Sequence, residues 1–162
     1  MHVISDLAIV SDKADIEDSI RGSKLVVGAH TMIDSFVKIK FTGGLGDIII
    51  GEHCQLNSGI VIYSGNGITL GNDVLVAANT TFAPTNHAYD RRDVPLRTQR
   101  FKPSKGGIVV EDDVWIGSNC VLLDGAVLRR GTIVAANSVI RDETEPYGIY
   151  AGSPAKLIGS RP

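Results

Sequence analysis

Aliphatic residues along this chain recur in steps of six, a period that fits neither an α-helix nor an alternating strand. The longest run is Val110, Ile116, Leu122, Leu128, Val134 and Ile140. Val27 and Ile33, Ile50 and Leu56, and Leu70 and Val76 carry the same spacing earlier. Four positions after each aliphatic stands a small or β-branched residue, among them Thr31, Cys54, Val74, Cys120, Ala126 and Ser138. Along short strands these two slots face the same way, because successive side chains alternate faces. The position three after each aliphatic reads His30, Phe36, His53, Gly59, Asp73, Asn79, Asp113, Asn119, Gly125, Gly131 and Asn137. Apart from Phe36, these residues tolerate a positive φ better than most. A left-handed residue every six positions bends the chain into a flat-sided coil. Three such sides make one turn, and Val110 to Leu128 is one step of that kind.

Composition sharpens this into an all-β fold of short strands and tight turns. The chain holds 16 Val and 18 Ile against 11 Leu, with 18 Gly. Candidate coil starts are Val10, Val27, Ile50, Leu70, Val110 and Leu128, and their uneven spacing marks where residues were added. Lys40 to Asp47 and Ser64 to Gly67 are short Gly-rich bulges. The expected organisation is one β-helical domain over 1–162, with coils at about 10–82 and 108–143. A protruding loop fills 83–107 and a cap fills 144–162. Residues 1–24 fit the repeat poorly.

Charge removes several function classes. Sixteen Lys and Arg stand against 18 Asp and Glu, a net charge of −2. A nucleic-acid binder needs a basic surface to displace counterions, so that class is excluded. With 43% hydrophobic residues and little net charge, disorder is excluded too. No basic start or long apolar run suggests a signal peptide or membrane insertion. Two cysteines make no disulfide framework. The expectation is a cytoplasmic protein, and its slightly positive mean hydropathy hints at a buried subunit face.

The repeat also accounts for several reactive side chains. His30 and His53 occupy turn slots, and Cys54 and Cys120 occupy small inward slots, where a thiol is a buried apolar group. His87 is different. It lies at the root of the long loop, in Phe82-Ala83-Pro84-Thr85-Asn86-His87, and a register continued from Phe82 would put the turn at Thr85. A loop of that length in a compact repeat is itself a functional signal.

Taken together, the six-residue repeat, the loop and the tail resemble the hexapeptide-repeat acyltransferases. The likeness is greatest to sugar and lipopolysaccharide O-acetyltransferases of the galactoside and maltose acetyltransferase kind. It rests on His87, Tyr89, Asp90, Pro95-Leu96 and Gln99 in the loop, Asp113-Val114-Trp115-Ile116-Gly117, and the closing Ala151-Gly152-Ser153-Pro154-Ala155-Lys156. The resemblance implies a left-handed parallel β-helix, acetyl-CoA as cosubstrate and a homotrimer with each site between two subunits. It implies His87 as general base, with Asn57, Tyr89 and Gln99 toward the sugar or lipid-linked acceptor. Trp115, Ser118, Ala136, Arg141 and Lys156 fall toward coenzyme A, although the family often has Lys one residue after Arg141, where this chain has Asp142. An imidazole, with an ordinary pKa of about 6.5, suits removal of a hydroxyl proton. Rival readings are an N-acetyltransferase acting on an amino-sugar nucleotide and a non-catalytic β-helical scaffold. The γ-class carbonic anhydrases share the fold, but their histidine pair five residues apart is missing, since Arg92 stands five beyond His87. No metal is therefore expected.

Overall fold

The computed structural model describes residues 2–162. Its coils stack into a left-handed, three-sided prism with one parallel sheet on each side. The first face holds His2–Ile4, Leu25–Val27, Ile48–Ile50, Ile68–Leu70, Ile108–Val110 and Val127–Leu128. The second holds Ile9–Val10, Met32–Ile33, Gln55–Leu56, Leu75–Val76, Trp115–Ile116 and Ile133–Val134. The third holds Asp15–Ile16, Lys38–Lys40, Val61–Tyr63, Thr81–Ala83, Val121–Leu123 and Val139–Ile140.

Strands only two or three residues long are stable here because every coil is paired in register with the next, about 4.8 Å away. On the second face Val10, Ile33, Leu56, Val76, Ile116 and Val134 line up as one inward column. Ile16, Ile39, Ile62, Phe82, Leu122 and Ile140 do so on the third. The six-step aliphatics from Val27 to Ile140 are buried, and each such side chain contributes about 1.5–3 kcal/mol. The corners follow the expectation at all eleven turn slots, with φ between 56° and 91°. Phe36 is among them at φ 64°, so the register overrides its side-chain preference.

The N-terminal boundary is corrected. Ile4 pairs with Val27, so the first coil begins on the strand His2–Ile4, and Val10 sits on the second face opposite Ile33. The repeat was hidden there because its first two corners lack left-handed residues, and Gly22 at φ 85° comes only at the third. Instead Ser5 Oγ accepts from the Leu7 N–H and Ser11 Oγ from the Lys13 N–H, each at 3.2 Å.

Between the third and first faces the two Gly-rich bulges stack on each other. Gly46 N–H donates to Gly65 O and Gly65 N–H to Thr42 O, both at 2.9 Å. A Cβ at Gly44 would collide with the Gly65 carbonyl, which is why this corner is glycine. The long loop leaves the same corner one coil further on. The tail does more than fold back: Gly148–Gly152 adds a strand to the second face beside Ile133–Val134, and Ala155–Ser160 turns antiparallel onto it.

Candidate active site

His87 is held by a short antiparallel bridge across the loop. It pairs with Phe101, Ala88 N–H donates to Arg100 O at 3.0 Å, and Lys102 N–H donates to Asn86 O at 2.8 Å. Its ring lies 4.9 Å from that of Phe101, and the imidazole makes no hydrogen bond among the described residues. The loop beyond is tied by one amide. Gln99 Oε1 accepts from the Arg91 N–H at 3.0 Å, while its Nε2 donates to Arg91 O at 2.8 Å and to Val94 O at 3.2 Å. The resemblance turns Gln99 toward the acceptor, whereas its side-chain hydrogen-bonding groups are spent inside the loop.

The exit is fixed by Asp124, which sequence reasoning did not single out. Only 2% exposed, its carboxylate accepts from Lys105 N–H at 2.8 Å and from Gly107 N–H at 2.9 Å. Its sole signal in the sequence is an aspartate just before the turn-slot Gly125, where the repeat asks for no charge.

Two clefts meet at His87. The larger, about 630 Å³, runs from Asn86, His87 and Tyr89 past Lys102 and Lys105 to Arg141. Lys102 Nζ lies 3.4 Å from the centre of the Tyr89 ring and 3.8 Å from Asp90 Oδ1. Tyr89, chiefly, and then Asp90 hold the Lys102 ammonium above its ordinary pKa. Lys105 makes no ion pair among the described residues, and Arg141 pairs only with its exposed neighbour Asp142 at 3.4 Å. Three cations, Lys102, Lys105 and Arg141, thus line this cleft against the single carboxylate of Asp124. The smaller one, about 260 Å³, lies on the other side of His87 against Tyr63, Pro84 and Phe101.

The other expected residues stand elsewhere. Asn57, Ser118 and Ala136 lie along the edge between the second and third faces, on the third, fifth and sixth coils. Small residues fill that edge: Asn137 N–H donates to Ser118 O at 2.9 Å, and a Cβ on Gly117 would run into the Ala136 N–H. The Asn57 side-chain amide makes no hydrogen bond among the described residues, while its backbone N–H donates to Val76 O at 3.0 Å. His87, Tyr89 and Arg141 stand on the edge between the third and first faces. A side of one hexapeptide, up to roughly 20 Å if extended, separates the two edges. Trp115 points outward on the second face, 51% exposed, beside Leu75, Ile133 and Arg161. Lys156 is exposed on the terminal hairpin. Cys54 and Cys120 are buried, and burial pushes both thiols above their ordinary pKa. Their Sγ atoms donate to Gly71 O and Ala135 O, so they are structural.

Two family models match the chain: bacterial transferase hexapeptide (six repeats) over residues 107–142, and hexapeptide repeat of succinyl-transferase over 47–81. The chain is 28% identical over 85% of its length to a putative lipopolysaccharide biosynthesis O-acetyl transferase, WbbJ, of Escherichia coli K12, and spans 69% of it. It is 36% identical over 72% of its length to a probable macrolide acetyltransferase of Lysinibacillus sphaericus, and spans 62% of that protein. A hexapeptide-repeat-containing acetyltransferase of Vibrio cholerae, solved with acetyl coenzyme A, superposes with a TM-score of 0.66 at 28% identity. It matches 98% of this chain and 70% of its own. AntD, an N-acyltransferase of Bacillus cereus, shares the fold with a TM-score of 0.82 at 20% identity, over 99% of this chain and 84% of AntD. The chain thus carries the repeats of the hexapeptide transferases in two stretches, and the relatives it is similar to are acetyltransferases and acyltransferases.

Proposed function

We propose that the protein transfers acetyl from acetyl-CoA to a hydroxyl of a sugar or surface-polysaccharide precursor in the cytoplasm, directly within a ternary complex. The observation that carries this reading is that His87 lines both clefts. A base in that position reaches an acceptor on one side and a thioester on the other.

The acceptor oxygen attacks the thioester carbonyl carbon while its proton passes to the His87 imidazole. The tetrahedral oxyanion collapses, the C–S bond breaks, and the departing thiolate takes the proton back from the imidazolium. No acyl-enzyme forms, which agrees with two buried, protonated cysteines.

Coenzyme A is polyanionic, and the larger cleft offers it Lys102, Lys105 and Arg141. Its pantetheine arm needs small residues to lie against, which the Ser118 and Ala136 edge supplies. Because that edge and His87 are a full side apart in one chain, a site using both is built between two copies. That geometry favours a homotrimer in which Asn57, Ser118 and Ala136 of one subunit face His87, Tyr89 and Arg141 of the next. Gln99 then serves the reaction by shaping the loop. Lys156, at the end of the prism, is assigned to the coenzyme A phosphates, and Trp115 to the subunit contact.

The test is thiol release from acetyl-CoA with matched hydroxyl and amine pyranosides, comparing wild type with His87→Ala. Acceptor-dependent release should fall by about 10²–10⁴ in the variant. Equal release would remove His87 as the base, and a preference for the amine would overturn O-transfer.

A further inference from the structure

From the smaller cleft we infer a subsite for a neutral pyranose ring, clamped between Tyr63 and Phe101; the inference rests on the acetyl-transfer reading. Four observations carry it. First, the two aromatic side chains are unusually open, Tyr63 at 39% and Phe101 at 47%, although they come from separate elements. Tyr63 ends the third-face strand of the third coil, and Phe101 sits on the far arm of the loop. They border the same cavity, whose wall between them is the buried Pro84.

Second, the cavity has the size of a small ring. At about 260 Å³ it falls below the roughly 300–1,000 Å³ of pockets that hold drug-sized molecules or cofactors. An extended cofactor suits the larger cleft, and one sugar ring suits this one.

Third, its chemistry is that of a carbohydrate contact. A pyranose presents C–H faces and hydroxyl edges, and aromatic rings with a few hydroxyls match both. Here the Tyr63 and Thr42 hydroxyls make no hydrogen bond among the described residues and are free for an acceptor. Gly43 forms part of the wall with φ 83°, and a Cβ there would press on Thr85 Oγ1, so the glycine keeps the space open.

Fourth, among the described residues no Asp, Glu, Lys or Arg lines the cavity, and His87 is the basic group in its wall. A protonated amino sugar finds no carboxylate there, and a uronate finds no cation. The subsite therefore selects an uncharged ring, whose hydroxyl nearest His87 is the acetyl acceptor.

Saturation-transfer NMR on the full chain tests this, with methyl β-D-galactopyranoside and methyl α-D-glucopyranoside as neutral probes and glucosamine and glucuronate as charged ones. Saturation should reach the ring C–H protons of a neutral probe, and should weaken by about tenfold in Tyr63→Ala or Phe101→Ala. It should fall less in Tyr63→Phe than in Tyr63→Ala, and should persist with coenzyme A present. No transfer to either neutral probe, equal transfer in the alanine variants, stronger transfer to a charged probe, or displacement by coenzyme A would each overturn the subsite. Thiol release in the same samples separates the two ideas. Sugar contact without release sinks the acetyl-transfer reading alone, and release unaffected by either alanine sinks the subsite alone.

Discussion

Phe36 is the one bulky side chain in a column of corner residues that otherwise reads Gly59, Asn79, Asn119 and Asn137 on successive coils. All share the left-handed conformation, which costs an ordinary L-residue roughly 1–2 kcal/mol and asparagine less. With its ring 60% exposed, Phe36 recovers little of that through packing. Phe36→Asn should therefore raise stability by about 0.5–1 kcal/mol, seen as a higher urea midpoint at unchanged slope. A lower midpoint would show that the ring's contacts outweigh its backbone strain. The corner column was legible because turn residues reveal themselves by type, and the six-residue register was strong enough to include the exception. His87 was legible for the opposite reason, since it breaks the register at a position the fold does not explain. Asp124 was missed because one aspartate beside a turn looks like any other surface acid. Only the folded chain brings the Lys105 and Gly107 N–H groups to its carboxylate.

Elements of this protein are held by contacts between coils, and two of them carry predictions. Arg129 on the sixth coil bonds Glu111 on the fifth through Nη1 at 2.6 Å, and Glu143 through Nε at 2.8 Å. The Arg129 guanidinium, then the Arg130 N–H, hold the Glu111 carboxyl below its ordinary pKa of 4.5. A folded-state pKa below the unfolded one gives stability that is complete above the unfolded value and lost as pH falls through the folded one. Acid unfolding below about pH 4.5 should thus be less steep in Glu111→Gln, with a neutral-pH cost of at most about 1 kcal/mol for so exposed a pair. Identical pH profiles would mean that Glu111 contributes nothing to the acid limb. The loop is the second case. Gln99→Ala removes three bonds that shape it while touching nothing in the prism. Transfer should fall by about 10–100-fold, since small misplacements of a catalytic group are costly, and the melting temperature should hardly move. Unchanged turnover would make Gln99 incidental to the site. This staple could not be read from the chain beforehand, because eight residues separate Gln99 from Arg91 in a stretch without periodicity. The first coil was obscured for a related reason: serine side chains, rather than left-handed residues, turn its first two corners.

At the scale of the whole molecule the candidate residues divide between two edges of one prism, an arrangement no linear spacing announces. Asn57 and His87 stand 30 positions apart in sequence, but the third face lies between their edges. What could be read beforehand was the fold and a set of candidate residues; in the proposed function, which of them share a site depends on how copies pack. In the proposed function, one copy's edge of small residues completes the cleft of the next. Subunit mixing tests it most directly. Two inactive variants, His87→Ala and Ala136→Trp, are each checked for native melting, then co-refolded in equal amounts and assayed for thiol release from acetyl-CoA. If His87 of one subunit works against the small edge of its neighbour, random assembly restores about one quarter of wild-type activity. If a site lies within a single chain, every subunit of the mixture carries a broken one and no activity returns, which would contradict the account.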